Sequence, residues 1–226
     1  MGSVSDPNPT THEEINMSTT TPSHDDLSYL RRLAESGRDL PLMAGPYLMA
    51  GGGWFAAASL TQWPVLRNLV QLGEAQAMGA WLLAAAGFAV HLAVLIRRDR
   101  HRTETVGNRA VSAVWTGAGF GIFAFWLGVA TLAYQRGDAW VMNTISLQVL
   151  SVYGTGWMVA AAMARQGWMQ AVAALAFLFV PVLGLVIGSG HEYLVYALAL
   201  LATAVLPGRR LARQARQAVG VSHGER

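Results

Sequence analysis

Between two long apolar runs stands "RRDRHRTETVGNR", residues 97 to 109, which holds five arginines. The runs on either side, 74–96 and 110–133, are each long enough to cross a hydrocarbon core of about 30 Å as a helix. Loops that stay in the cytoplasm collect basic residues, so this loop belongs inside and orients everything around it.

Working outward in both directions, the apolar residues gather into six runs, at roughly 41–62, 74–96, 110–133, 140–163, 168–188 and 191–207. Apolar residues make up 53% of the chain and charged residues 13%. That charged share is about half the usual one for a soluble domain, and the six runs leave little chain for a separate one. The expected fold is therefore all-α, a polytopic membrane helical bundle with six transmembrane helices and with N- and C-termini cytoplasmic. Alternating from the arginine loop places fourteen arginines inside and only Arg67 and Arg136 outside. The last run is short and ends in Pro207-Gly208, a stop signal for a helix. It is still expected to cross, because otherwise Arg209, Arg210, Arg213, Arg216 and Arg226 would fall on the wrong side. Trp63, Tyr134 and Trp140 mark the outer boundary, and Trp115 and Trp168 the inner one.

Outside the bundle, residues 1–24 are rich in Ser, Thr, Pro and acids and are expected to be a disordered tail, with no signal peptide. Met17 opens "MSTTTPSHDD", which reads like a natural start. In 25–40, Asp25 or Asp26 caps a short helix with Leu27, Leu30, Leu33 and Ala34 on one face. Two placements stand for it, on the cytoplasmic lipid surface or as an ordinary lead-in to the bundle. Residues 208–226 form a basic cytoplasmic tail.

All sixteen basic residues are arginine, and there is no cysteine. The absence of lysine excludes a retinal or pyridoxal Schiff base and a P-loop. The absence of cysteine excludes disulfides, thiolate catalysis and Cys-based metal sites. The arginines cluster at helix ends, which is a topological pattern, so no nucleic acid is expected as a partner. His91 and His191 fall near opposite faces and cannot share a haem iron. "HE" at 191–192 lacks the second histidine of a zinc protease motif, and no catalytic dyad is visible. No enzyme activity, cofactor or metal is expected.

No Asp, Glu or Arg lies in the middle of any run, which argues against ion-coupled transport through a buried acid. The polar residues that remain form a stripe in the fourth run: Thr144, Gln148, Ser151 and Thr155, at intervals that share one helical face. Hydroxyls are tolerated in lipid because they bond back to their own helix, whereas an unpaired glutamine amide costs several kcal/mol. The stripe is therefore either a helix contact or part of a polar pocket open to the outer side. In the second case its partners would be Glu74, His191 and Glu192, with Asn143 and Tyr193 at similar depth.

Small residues complete the picture. The third run carries Ala113, Gly117, Gly121, Ala124 and Gly128 on one face, the second Gly79, Ala80, Ala84, Gly87 and Ala93, and the first the triplet Gly51 to Gly53. Lipid gives apolar side chains no reason to associate, so close approach at small residues supplies much of the contact. These faces are expected mainly to pack the bundle, with oligomerisation as their other use. Pro181 is expected to kink the fifth run. The expected role is an interaction or regulatory component of a cell membrane (plasma or inner), with the lipid bilayer around it and a protein partner at the cytoplasmic face. A small-solute or ion transporter or channel using the stripe is the alternative.

Overall fold

The computed structural model describes residues 44–71, 73–99 and 106–224. The tail 1–24 and the lead-in 25–40 lie outside the described residues. Among the described residues there is helix and no strand. Helix α1 is Gly45–Leu66, α2 Glu74–Asp99 and α3 Val106–Arg136. A 3₁₀ turn, Ala139–Asn143, leads into α4, Thr144–Ala164; α5 is Gly167–Val186. Helix α6, Glu192–Leu200, passes through a π-turn, Leu201–Val205, into α7, Leu206–Gly224.

Five stretches are long and apolar enough to cross a membrane: Met78–Asp99, Arg109–Arg136, Ala139–Ala164, Gly167–Val186 and Glu192–Gln217. Helix α1 has the length, with 22 residues, but its glycine triplet, Thr61, Gln62 and two prolines dilute its apolar content. It begins later than the expected 41–62 because Pro46 sits in its first turn, where a missing N–H does no harm. Pro64 lies inside its last turn.

Two clusters of buried residues show how the helices run. One joins Leu48 of α1, Val111 of α3, Trp157 of α4, Met169 of α5 and Leu211 of α7. The other joins Ala56, Val149, Leu183 and Tyr196, from the opposite ends of α1, α4 and α5 and from α6. Successive helices are therefore antiparallel, and the first cluster lies at the arginine-rich end. Their neighbour order is α2, α1, α6, α5, α4, α3, so α2 and α3 close the row at its two margins.

Along the seam between α1 and the α6–α7 rod the backbones come close. A Cβ placed on Gly45 would lie 2.6 Å from the Gly208 carbonyl oxygen, and one on Gly52 would lie 2.6 Å from the Ala204 Cβ. Neither gap admits a side chain without movement of backbone, so only glycine permits this approach.

The expected helix stop at Pro207-Gly208 is overturned, for the helix continues to Gly224. Proline offers no N–H to the carbonyl four residues back, that of Thr203. The fully buried Trp157 Nε1 of α4 donates to that carbonyl at 2.7 Å. The Thr203 hydroxyl donates in turn to the Ala199 carbonyl at 2.7 Å. A neighbouring helix thus re-satisfies the backbone group freed by proline, and the adjoining π-turn absorbs the change in winding. Pro181 likewise lies inside an uninterrupted α5.

Candidate functional site

The hydroxyls of the polar stripe are satisfied within α4 or the turn before it. Thr144 Oγ1 donates to the Val141 carbonyl at 2.7 Å, Ser151 Oγ to Leu147 at 2.9 Å and Thr155 Oγ1 to Ser151 at 3.0 Å. Gln148 differs. Its Oε1 is buried and has no hydrogen-bond partner among the described residues.

Gln148, Ser151 and Thr155 line a groove of about 300 Å³ between α3 and α4, closed by Val114, Ala118, Val152 and Gly156. Thr144, His191 and Glu192 do not line it. His191 is exposed, and its backbone N–H donates to Ser189 Oγ at 3.2 Å. Glu192 opens α6 and is 8% exposed, with Oε2 buried and without a partner among the described residues. Glu74 begins α2, and its side chain lies outside the described residues. Asn143 and Tyr193 do meet, the phenol donating to Asn143 Oδ1 at 3.4 Å. The Tyr193 ring lies 6.0 Å from that of Trp81 on α2. Two separate polar places result: a groove on the α3–α4 flank and a cluster around Tyr193 at the end of the bundle.

Register along the α1–α6 seam adds Gln62, which sequence reading passed over, and gives Trp63, read there only as a boundary marker, a buried setting. Gly52 stands opposite Ala204 and Arg67 beside Gly190, so Gln62 and Trp63 lie at the level of Glu192. Gln62 Oε1 and Trp63 Nε1 are also buried without partners among the described residues. The signal for Gln62 was present in the sequence, a glutamine at the end of an apolar run, but its neighbours depended on which helix packs against α1.

The small-residue faces divide unexpectedly. Gly87 of α2 accepts the Trp54 indole, Gly154 the Phe177 ring and Gly156 the Trp115 indole, with a Cβ at each meeting ring atoms at 2.6–3.0 Å. On α3 the outcome is the reverse. Ala113 and Ala124 are exposed, and a Cβ added at Gly117, Gly121 or Gly128 would meet nothing within 4 Å. The expectation that this face packs the bundle is corrected: α3 spends the opposite side, through Val111, Trp115 and Ile122, on the bundle.

Charge separates by end. Eight described arginines lie at the end of the first cluster: Arg97, Arg98, Arg109, Arg165, Arg209, Arg210, Arg213 and Arg216. Arg67 and Arg136 lie at the other. At the arginine-rich end Asp99 accepts a hydrogen bond from the Tyr47 phenol at 3.0 Å. An all-helical bundle with five stretches of membrane-crossing length defines a multi-pass membrane protein. No protein-family model, curated protein or solved structure matches the chain.

Proposed function

We propose that this chain is a six-span component of a plasma or inner membrane, with both termini cytoplasmic, that acts by binding a partner protein rather than by catalysis. The observation that carries the reading is the α3 face of Ala113, Gly117, Gly121 and Gly128, open along its length while α3 packs through its other side. In lipid, a glycine-rich face that meets no helix of its own chain is the surface on which a helix from elsewhere can approach closely. The adjoining groove offers the Gln148 carbonyl oxygen as an acceptor for a polar group on that helix. The arginine-rich end supplies a second contact surface on the cytoplasmic side.

Because the chain has no cysteine, single cysteines test this directly. Gly117→Cys and Gly121→Cys, treated with a short bis-maleimide in native membranes, are expected to yield one discrete adduct of higher mass. Leu178→Cys, on the exposed side of α5, is the control. Equal, diffuse cross-linking at all three positions would defeat the reading.

A second reading rests on the same groove. A transporter would hydrate Gln148, Ser151 and Thr155. Single cysteines there would then react rapidly with a charged, impermeant thiol reagent added from outside. Reaction confined to Thr144→Cys would leave the groove to helix contact.

A further inference from the structure

Helix α7 places three arginines in a way that selects what they touch. Leu211 is fully packed in the bundle, and Gly208 lies against Gly45, so one side of α7 is committed to α1. At 100° per residue, Arg209, Arg213 and Arg216 stand about 160°, 200° and 140° around the helix from Leu211. All three are exposed and face away from the bundle. Among the described residues none of them makes an ion pair.

Depth then identifies their surroundings. The helix is continuous from Glu192 through the π-turn to Gly224. At 1.5 Å per residue these arginines lie about 26, 32 and 36 Å beyond Glu192. A hydrocarbon core is about 30 Å thick, and the bilayer with its headgroups about 40–45 Å. With Glu192 at one edge of the hydrocarbon core, the three backbone positions fall between about 4 Å inside and about 6 Å beyond its other edge, within reach of the lipid phosphates for a long arginine side chain, on the side of α7 that faces away from the bundle. Arg210 turns elsewhere, its guanidinium lying 4.5 Å over the ring of Trp168, whose Nε1 donates to Gln166 Oε1 at 2.5 Å. That stack gives α7 a second hold on the bundle at the same level.

We propose that Arg209, Arg213 and Arg216 form a binding surface for the headgroups of anionic phospholipids in the leaflet at the arginine-rich end. Planar guanidinium groups bind phosphate oxygens in pairs, which a lysine cannot reproduce. A surface at headgroup depth that faces lipid meets phosphodiesters before it meets a cytosolic polyanion. The proposal stands independently of the partner reading.

The test reconstitutes the full chain in nanodiscs of phosphatidylcholine and phosphatidylglycerol in equal parts. Lipid retained on the protein after release from the disc is then weighed by native mass spectrometry. Wild type is expected to retain phosphatidylglycerol preferentially. Each of Arg209→Gln, Arg213→Gln and Arg216→Gln is expected to cut that preference roughly fivefold. A triple Arg→Lys variant is expected to keep part of the preference and the triple Arg→Gln variant none. Melting in pure phosphatidylcholine should match wild type for every variant, since the residues are exposed, and this separates lost binding from lost folding. Equal retention of both lipids by wild type would overturn the proposal. So would a preference unchanged in the triple Arg→Gln variant, or its abolition by millimolar inorganic phosphate, which would make free anion the ligand.

Discussion

Helices α3 and α6 look alike as apolar stretches and have opposite fates. In the 18-residue apolar stretch of the segment that contains α6, 56% of residues are buried inside the protein; in that of α3, 6%. In water such a difference would be legible, because an exposed helix must carry a polar face. In lipid both sides of a helix can be apolar, and hydropathy loses its power to tell the centre from the margin. What distinguishes the two is where their small residues find a neighbour. Gly52 of α1 meets Ala204 beyond α6, and Gly45 meets Gly208, backbone against backbone. On α3, a Cβ added at Gly117, Gly119, Gly121 or Gly128 would meet nothing within 4 Å.

The sharpest way to break this contrast is at the tight seam. Gly45→Leu forces a side chain into a gap where a Cβ alone would lie 2.6 Å from a carbonyl oxygen. A loss of about 3 kcal/mol or more is expected. In practice, folded monomer should disappear from size-exclusion profiles in detergent; a normal profile would mean that the seam is looser than described.

Next in size is the Trp157–Pro207 relationship. Trp157→Phe leaves the Thr203 carbonyl buried without its indole donor, at an expected cost of about 2 kcal/mol in thermal unfolding. Pro207→Ala restores an N–H four residues on. The cost of Trp157→Phe should therefore shrink by about half in the Pro207→Ala background, a coupling that a double-mutant cycle reads directly. Strict additivity would show that the indole does not compensate for the proline.

A smaller effect of opposite sign is expected at the groove. Gln148→Leu removes a buried carbonyl oxygen that has no partner among the described residues, and should stabilise the isolated protein by about 1 kcal/mol. If the same substitution also abolishes partner cross-linking from Gly121→Cys, the oxygen is held for an incoming donor.

The smallest effect completes the comparison. Gly121→Leu on the open α3 face should change the stability of the isolated protein by less than about 0.5 kcal/mol. Its consequence should appear in partner cross-linking alone. A large loss in detergent would place α3 inside the bundle.

The amino-acid sequence alone shows a helical membrane protein. It also located the first five helices within a few residues, and the start of the last, because a stretch of apolar side chains long enough to span lipid has few other uses. It grouped Thr144, Gln148, Ser151 and Thr155 on one face, since helical periodicity is a property of the chain alone. It could not say that Gln148 looks toward α3, or that Gln62 and Trp63 lie on the helix that packs against the one Glu192 opens, because those facts depend on which helix lies beside which. It misread Pro207-Gly208 as an end, because the donor that rescues the Thr203 carbonyl sits 46 residues away, on α4. The order of the helices, and the choice between two glycine faces of equal promise, emerge with the packed fold. Association within lipid is governed by close shape matching between specific surfaces, and that matching is a property of pairs of helices.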